Sequence, residues 1–232
     1  MLDSLPFKLD TIFNIDSARG DNEVSGSDDE TCSHLIAGFR LASTALISDN
    51  LSRLPGAPGI RPFHRLTGVM AGRALTVRTR GGDNLYIHKA LEMVRPGDVI
   101  VVDGGGDVTR ALIGEIMTSI AASRGAAGFV LDGAIRDAGA MSRSDFPCFA
   151  RAATHRGPYK NGPGEINVPV TVGGMIVSPG DIIVGDEDGV VAFPVAGADE
   201  LLAAVRAQAE REQSILQSVR ENRYVSAYGK SV

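Results

Sequence analysis

The stretch Pro96-Gly-Asp-Val-Ile-Val-Val-Asp103 predicts a short strand that is buried on both faces. Proline fixes φ and glycine supplies the turn that leads into the aliphatic run. The stretch Pro179-Gly-Asp-Ile-Ile-Val-Gly-Asp186 repeats the turn, the run and the terminal Asp. One echo is not a solenoid, which needs several repeats at a fixed period. The simpler interpretation is that Pro-Gly-Asp is a good start for a strand in both places.

The segments around these two strands alternate between helical and strand patterns, which predicts an α/β fold with mixed sheets. Glycine, proline and polar clusters separate the segments. Helices are predicted over His34–Leu54, Asn84–Met93, Glu115–Arg124 and Asp199–Asn222. Further strands are predicted over Leu66–Arg78 with an interruption at Gly72, over Gly128–Leu131 and within the strand-rich residues 167–194.

Length and composition predict one domain with a polar amino-terminal arm. The chain has 232 residues, of which 44% are hydrophobic and 22% charged, as is typical of a globular protein. Residues 16–31 are rich in Asp, Glu, Ser and Gly. We therefore interpret residues 1–31 as an arm that orders against a neighbouring subunit, and residues 32–232 as the domain.

Charge and cysteine use limit the partners and the compartment. A net charge of -5 argues against a nucleic-acid partner, which favours a basic face. Cys32 and Cys148 lie far apart, so neither a local zinc knuckle nor a disulfide framework is expected. No export signal is seen and no run approaches the ~20 apolar residues that span a bilayer. The expected location is the cytoplasm, without membrane contact.

Glu115 and the pair Arg136-Asp137, separated by twenty residues, form the most informative polar set. Glu115 opens a predicted helix, whereas Arg136-Asp137 follow a strand and a turn predicted at Asp132-Gly133. Ligands of open α/β sheets bind beyond the carboxyl ends of the strands. We therefore expect these side chains to converge on one crevice.

Each member of this set suits a small anionic ligand. An arginine fork fits a carboxylate, and one Asp with waters and substrate oxygens is a typical Mg²⁺ arrangement. The unpaired amides at the start of a helix, here Gly114–Met117, can hold a carboxylate or phosphate. Taken singly, Arg136-Asp137 could equally be a surface ion pair, and Glu115 could merely complement the helix dipole.

Other motifs argue against several function classes. The glycine run Asp103-Gly-Gly-Gly-Asp107 lacks the third glycine of a dinucleotide loop, since position 109 is Thr109. His88 lies on a predicted helix beside apolar residues, where a structural histidine is more common than a catalytic one. The histidine spacing does not suggest zinc, and a Gly-x-Ser-x-Gly elbow is absent.

One carboxylate is out of place on the last predicted helix. An apolar stripe at steps of three and four contains Glu212 as its one charged member. The stripe consists of Leu202, Val205, Ala209, Glu212, Leu216 and Val219.

Taken together, these motifs resemble the RraA-like family, which contains class II pyruvate aldolases and the regulator of ribonuclease E activity. The resemblance covers roughly Phe39–Asn222, and the ordered set is more specific than any single motif. The motifs are Pro96-Gly-Asp-Val-Ile-Val-Val-Asp-Gly-Gly-Gly106, Ala111-Leu-Ile-Gly-Glu115, Arg124-Gly-Ala-Ala-Gly128, Asp132-Gly-Ala-Ile-Arg-Asp137, Asn167-Val-Pro-Val-Thr-Val-Gly-Gly174, Pro179-Gly-Asp181 and Asp186-Glu-Asp-Gly-Val190.

The resemblance implies a layered ββα sandwich with mixed sheets and a carboxy-terminal helix, assembled as homotrimers or homohexamers with active sites between subunits. It implies that Asp137 holds a divalent metal, Mg²⁺ or Mn²⁺, and that Arg136 and the Gly114, Glu115, Ile116 and Met117 amides hold the pyruvoyl carboxylate. Glu115 stands where the aldolases carry Asp. Glu212 from an adjacent subunit would help to order the metal's waters.

The implied function is a metal-dependent retro-aldol lyase that releases pyruvate from a 4-hydroxy-2-oxo acid. The substrate would be of the 4-hydroxy-4-methyl-2-oxoglutarate or 4-carboxy-4-hydroxy-2-oxoadipate type, and oxaloacetate decarboxylation is an expected side activity. The alternative is a non-catalytic protein-binding regulator of the ribonuclease E type. Ala140 departs from the family, in which many members have an acidic residue there.

Overall fold

The predicted strand after Pro96-Gly97 lies at the centre of a nine-stranded mixed sheet. The computed structural model describes residues 26–53, 56–65 and 67–226. The helices are α1 (Gly26–Phe39), α2 (Thr44–Asn50), α3 (Leu85–Leu91), α4 (Glu115–Ser123), α5 (Ala138–Met141) and α6 (Ala198–Arg220). The strands are β1 (Arg61–Pro62), β2 (Met70–Thr79), β3 (Asp98–Asp103), β4 (Ala111–Ile113), β5 (Gly128–Ile135), β6 (Cys148–Ala153), β7 (Gly164–Ile166), β8 (Val170–Val172), β9 (Met175–Val177), β10 (Ile182–Asp186) and β11 (Gly189–Phe193).

The sheet runs in the order β1-β6-β5-β3-β2-β10-β11, with β4 paired to β5 and β7 paired to β2. Strands β2, β3, β5 and β6 are parallel, so their carboxyl ends share one edge. Strands β10 and β11 run antiparallel to their neighbours. The fold class is therefore α/β with a mixed sheet and a carboxy-terminal helix, as predicted.

Both faces of the central strands are buried, which explains their unbroken aliphatic runs. Ile100 and Val102 of β3 pack with α3 and α4 in one hydrophobic cluster. Val99 and Val101 point to the opposite face, into a second cluster that includes the β8-β9 hairpin. The two predicted echo strands, β3 and β10, are both confirmed as buried strands.

A third hydrophobic cluster joins α1, α2 and α6 to strands β10 and β11. Asp186, at the end of β10, accepts hydrogen bonds from the Thr44 amide (2.7 Å) and hydroxyl (2.6 Å), so it fixes the start of α2. These contacts divide the single helix predicted over His34–Leu54 into α1 and α2, while Leu54 itself lies outside the described residues.

Other boundaries also differ from the prediction. Residues 1–25, most of the predicted arm, lie outside the described residues, and α1 begins inside the predicted arm. Gly72 does not interrupt β2; it is required there because a Cβ would overlap the Gly97 carbonyl oxygen. The turn predicted at Asp132-Gly133 is wrong, because β5 continues to Ile135 through a register shift against β6.

The apolar stripe predicted on the last helix is buried only in its first half. Leu202 and Val205 pack in the third cluster, whereas Glu212 and the large apolar residues beyond it are exposed. The helical period was interpreted correctly, but the described part of this chain does not bury Leu216 and Val219 in the second half of the stripe.

Candidate active site

A cavity of about 300 Å³ opens at the edge where the parallel strands end. The segments after β2, β4, β5 and β6 each contribute residues, which is the expected ligand position in such a sheet. The lining residues are Asn84, His88, Leu112, Ile113, Gly114, Ile116, Met117, Arg136, Asp137, Gly157, Pro158 and Lys160.

Gly114 lets α4 begin against the end of β5. The Arg136 amide donates to the Ile113 carbonyl (2.9 Å), which holds the two segments together. A Cβ on Gly114 would overlap the Asp137 carboxylate and lie 2.9 Å from the Arg136 Cγ atom. Only glycine therefore allows Arg136 and Asp137 to lie beside the first turn of α4.

Asp137 is held at the cavity by its backbone and by one amide. Its left-handed conformation (φ 57°, ψ 32°) is uncommon for a residue with a side chain, although Asp tolerates it better than most. Oδ2 accepts a hydrogen bond from the Glu115 amide at 3.1 Å. The side chain is 42% exposed, and within the described residues Oδ1 has no hydrogen-bond donor. Much of this carboxylate is therefore available to a ligand.

Arg136 is not engaged in a tight ion pair. The Arg136 Nε atom lies 3.7 Å from Asp137 Oδ2, and both side chains are more than 40% exposed, so the pair contributes little to stability. Gly157 borders the guanidinium, because a Cβ there would lie 3.4 Å from Arg136 Nη1. The fork is therefore positioned by its surroundings and remains free for an anion.

The helix start offers fewer free amides than predicted. The Glu115 amide donates to Asp137, and the Met117 amide donates to the Gly114 carbonyl at 3.1 Å. Among the described residues, the Ile116 amide has no protein acceptor. The Gly114 amide likewise has no acceptor among the described residues, so the site predicted over Gly114–Met117 is reduced to the amides of Gly114 and Ile116, beside the Arg136 fork.

The two predicted glutamates lie apart from this cavity. The Glu115 side chain lines a separate cleft of about 130 Å³ together with Ala140. Glu212, on α6, accepts a hydrogen bond from Gln208 (2.9 Å). The described residues that line the main cavity include none from α6. The structure therefore brings together Arg136, Asp137 and the start of α4, but neither glutamate side chain, within one chain.

Sequence reasoning missed Asn84 and Lys160 and favoured a structural role for His88. Asn84 is buried and its Nδ2 donates to the Leu112 carbonyl (2.9 Å), while its Oδ1 has no partner in the described structure. Burial, then the positive charge of Lys160, lower the pKa of His88. These residues follow β2 and β6, so their position after parallel strands was the available signal.

The donor set fits a hard cation only in a limited sense. The described residues contain no cluster of three His, Cys, Asp or Glu side chains that could hold a metal. The half-exposed Asp137 does fit the arrangement in which one carboxylate, waters and substrate oxygens surround Mg²⁺.

Within the described residues, no helix is both long and apolar enough to cross a bilayer.

Comparison with known proteins decides the family. The RraA-like family model, described as Aldolase/RraA, matches residues 44–192. A Halalkalibacterium halodurans protein, provisionally named 4-hydroxy-4-methyl-2-oxoglutarate aldolase, is 40% identical over 188 residues, which are 81% of this chain and 89% of the relative. The chain belongs to the RraA-like family.

Solved structures agree with this RraA-like assignment. The RNA-processing inhibitor RraA from Thermus thermophilus matches with a TM-score of 0.60 and 36% identity, covering 66% of this chain and 93% of that one. Streptomyces coelicolor RraAS2, described as an unusual member of the RNase ES inhibitor RraA protein family, matches with a TM-score of 0.71 and 27% identity, covering 78% and 94%. The family and the fold inferred from the sequence motifs are confirmed.

Proposed function

We propose that this protein is a carbon–carbon lyase, a class II pyruvate aldolase that cleaves a 4-hydroxy-2-oxo acid. The proposal depends on one observation. Arg136, Lys160 and Asp137, whose Oδ1 has no donor within the described residues, line one cavity. A pure binding surface has no need of this arrangement, whereas a substrate with two carboxylates matches the two cations. The name 4-hydroxy-4-methyl-2-oxoglutarate aldolase, which is provisional for the Halalkalibacterium halodurans relative and is also given to a Thermus thermophilus relative, supports the same reaction.

The chain's own residues would bind and orient the substrate. The Arg136 fork would pair with the carboxylate next to the 2-oxo group, and the Ile116 amide would donate to the same group. Lys160 would pair with the carboxylate on C4. His88, whose pKa is lowered by burial and by Lys160, offers a ring nitrogen between them. Because Asp137 lines the same cavity as both cations, we propose that the C3–C4 bond of a substrate held in this way lies near Asp137.

Asp137 would hold the divalent cation, Mg²⁺ or Mn²⁺. When bound, the cation supplies Lewis-acid stabilisation of the negative charge that develops on the 2-oxo oxygen. The Glu115 amide keeps Asp137 Oδ2 in place, which leaves Oδ1 for the cation. Only Gly114 permits this position of the carboxylate.

The proposed bond changes are those of a retro-aldol reaction. The C4 hydroxyl loses its proton, the C3–C4 bond breaks, and C4 becomes a carbonyl carbon. The electron pair remains on C3 as the enolate of pyruvate, which is then protonated at C3. An ordered water would take the hydroxyl proton, a step worth about 10² to 10⁴-fold. Glu212 of a neighbouring subunit would position this water, and Glu115 would assist only if its side chain turned from its separate cleft toward the cavity. This role for Glu212 requires the proposed homotrimer or homohexamer.

Oxaloacetate decarboxylation would follow from the same site. Loss of CO₂ from oxaloacetate leaves an electron pair on C3 and forms the same enolate. Arg136 and Asp137 would act on it unchanged, so we propose this reaction as a side activity.

A coupled assay for pyruvate tests the proposal. We expect release of pyruvate from 4-hydroxy-4-methyl-2-oxoglutarate with Mg²⁺ or Mn²⁺, loss of release with a chelator, and loss in Arg136→Ala and Asp137→Ala. Asp145→Ala, which removes an exposed carboxylate paired with Arg65 and away from the cavity, is the matched control. Unchanged metal-dependent activity in both site variants would overturn the mechanism.

A second candidate function is a protein-binding regulator of the ribonuclease E type. The observation in its favour is the likeness to structures described as inhibitors of RNA processing and of RNase ES. If neither a 4-hydroxy-2-oxo acid nor oxaloacetate is turned over, while the protein inhibits a ribonuclease of this type, the regulator becomes the better interpretation. Inhibition that persists in Asp137→Ala would place that activity outside the cavity.

A further inference from the structure

A buried carboxylate fixes the segment that carries Lys160 to the start of α3. Asp83 is fully buried between them. Its Oδ1 accepts a hydrogen bond from the Leu85 amide (3.0 Å), at the first residue of α3. Its Oδ2 accepts from the amides of Asn161 (2.7 Å) and Gly162 (3.0 Å), which follow Lys160. One side chain therefore connects two of the segments that line the cavity.

Backbone hydrogen bonds continue this attachment on the other side of Lys160. The Asn84 amide donates to the Tyr159 carbonyl (3.0 Å), and the Tyr159 amide donates to the Gly82 carbonyl (2.8 Å). Asp83 and Tyr159 also form a β-bridge. The main chain of Lys160 therefore lies between two attached residues. Tyr159 is held by the neighbours of Asp83, and Asn161 is held by Asp83 itself.

The charge of Asp83 strengthens this attachment. Burial acts to raise the pKa of Asp83, but the amides of Asn161, Leu85 and Gly162, with Arg80, outweigh burial and hold the pKa below its usual range. Arg80 Nη2 lies 3.2 Å from Oδ2. A charged acceptor binds amides about twice as strongly as a neutral one, so an amide side chain at position 83 is a weaker anchor.

We infer that Asp83 is a positioning residue, which sets the affinity for the substrate's second carboxylate by holding Lys160 beside His88 in the cavity. This inference rests on the proposed function. Asp83 does not line the cavity and takes no part in bond breaking. Its removal should therefore weaken substrate binding much more than it slows the bond-breaking step.

A comparison of two substrates isolates this role. In Asp83→Asn, a single neutral oxygen replaces the two charged oxygens that accept hydrogen bonds in the wild type. The new NH₂ group is itself a donor and lies opposite a backbone amide, which cannot accept from it. We expect KM for 4-hydroxy-4-methyl-2-oxoglutarate to rise roughly tenfold with kcat changed less than threefold. KM for 4-hydroxy-2-oxopentanoate, which lacks the second carboxylate, should hardly change. In a Lys160→Met background, Asp83→Asn should add no further rise.

Asp186→Asn is the matched control, since Asp186 is also buried and accepts three short hydrogen bonds, but it anchors α2 and not the cavity. Both variants should unfold at lower temperature than the wild type, so the assays are run well below either transition. The substrate-specific rise in KM should appear in Asp83→Asn alone. An equal rise in both variants, or a rise for both substrates, would show a merely structural role.

Two readouts need no turnover and separate this inference from the proposed function. Hydrogen exchange at residues 157–162 should increase in Asp83→Asn and not in Asp186→Asn. The pKa of His88, followed by NMR, should rise in Asp83→Asn as Lys160 moves away. If the wild type turns over neither substrate, the proposed function fails, but the positioning of Lys160 stands or falls on these two measurements. Unchanged exchange and an unchanged His88 titration would overturn it.

Discussion

Asp137, which lines the cavity, and Asp83, which is buried behind it, are carboxylates held in opposite ways. Asp137 is half exposed and accepts one amide hydrogen bond, so Oδ1 remains available. Asp83 is fully buried and its oxygens are occupied by three amides and Arg80. The comparison shows how the two roles can be told apart. A carboxylate with a free oxygen can bind a ligand, whereas a carboxylate whose oxygens are all occupied holds the surrounding segments in place.

The largest expected effect comes from removing the available carboxylate. In Asp137→Asn the shape is retained and the charge is lost, so the proposed divalent cation would lose the carboxylate that we assign to it. We expect kcat/KM for pyruvate release to fall by about 10³-fold, equivalent to roughly 4 kcal/mol. Titration with Mn²⁺ should show weakened binding. Thermal unfolding should change little, because Asp137 makes few protein contacts; a large loss of stability with retained Mn²⁺ affinity would contradict the assignment.

A smaller effect is expected from changing the guanidinium while keeping its charge. Arg136→Lys retains a cation but loses the fork that fits a carboxylate in two places. We expect kcat/KM to fall about 10 to 100-fold, mostly through KM, measured with the same pyruvate assay. Arg65→Lys, at an exposed arginine that binds Asp145 through two hydrogen bonds of 2.7 Å, is the control and should leave KM unchanged.

Changing a buried structural carboxylate should lower the stability of the protein and leave its activity unchanged. Asp186→Asn weakens the hydrogen bonds to Thr44 at the start of α2 and to the Asp188 amide in the turn between β10 and β11. Weakening such buried bonds should lower the free energy of unfolding by about 1–3 kcal/mol, as measured by urea denaturation. Since Asp186 lies away from the cavity, kcat and KM should stay near the wild-type values. A specific loss of activity would break the division between the two kinds of carboxylate.

Local patterns predicted the parts of the fold that are local. The apolar runs of β3 and β10 and the start of α4 at Glu115 are visible in the sequence, because each depends on residues close together in the chain. Arg136-Asp137 were found for the same reason: they directly follow a buried strand. The turn at Asp132-Gly133 was wrong because a register shift within a strand and a turn use the same residues.

The missed residues depend on contacts between distant segments. Lys160 enters the cavity because Asp83, far away in the sequence, holds the amides that follow it. No hydrophobic period in the sequence indicates that Asp83 and the residues after Lys160 are in contact. The second half of the α6 stripe shows the complementary limit: the pattern identifies an apolar face around Glu212, but a period does not reveal which chain supplies its partner.

The smallest effect should be seen in the titration of two histidines: His88 lines the cavity, whereas His64 is buried outside it, where its Nδ1 accepts a hydrogen bond from the Cys148 amide. Burial lowers the pKa of both His88 and His64, but Lys160 adds to the lowering only at His88. For each ring the folded pKa lies below the unfolded value near 6.5, so the folded state resists protonation. The free energy of unfolding is therefore highest above about pH 6.5 and declines as pH falls toward the folded pKa. Lys160→Met should raise the pKa of His88, reduce its part of that decline, and leave His64 unchanged in NMR titrations. If the pKa values of both histidines rise together, the cause is a general loosening of the fold. The charge of Lys160 would then not be what lowers the pKa of His88.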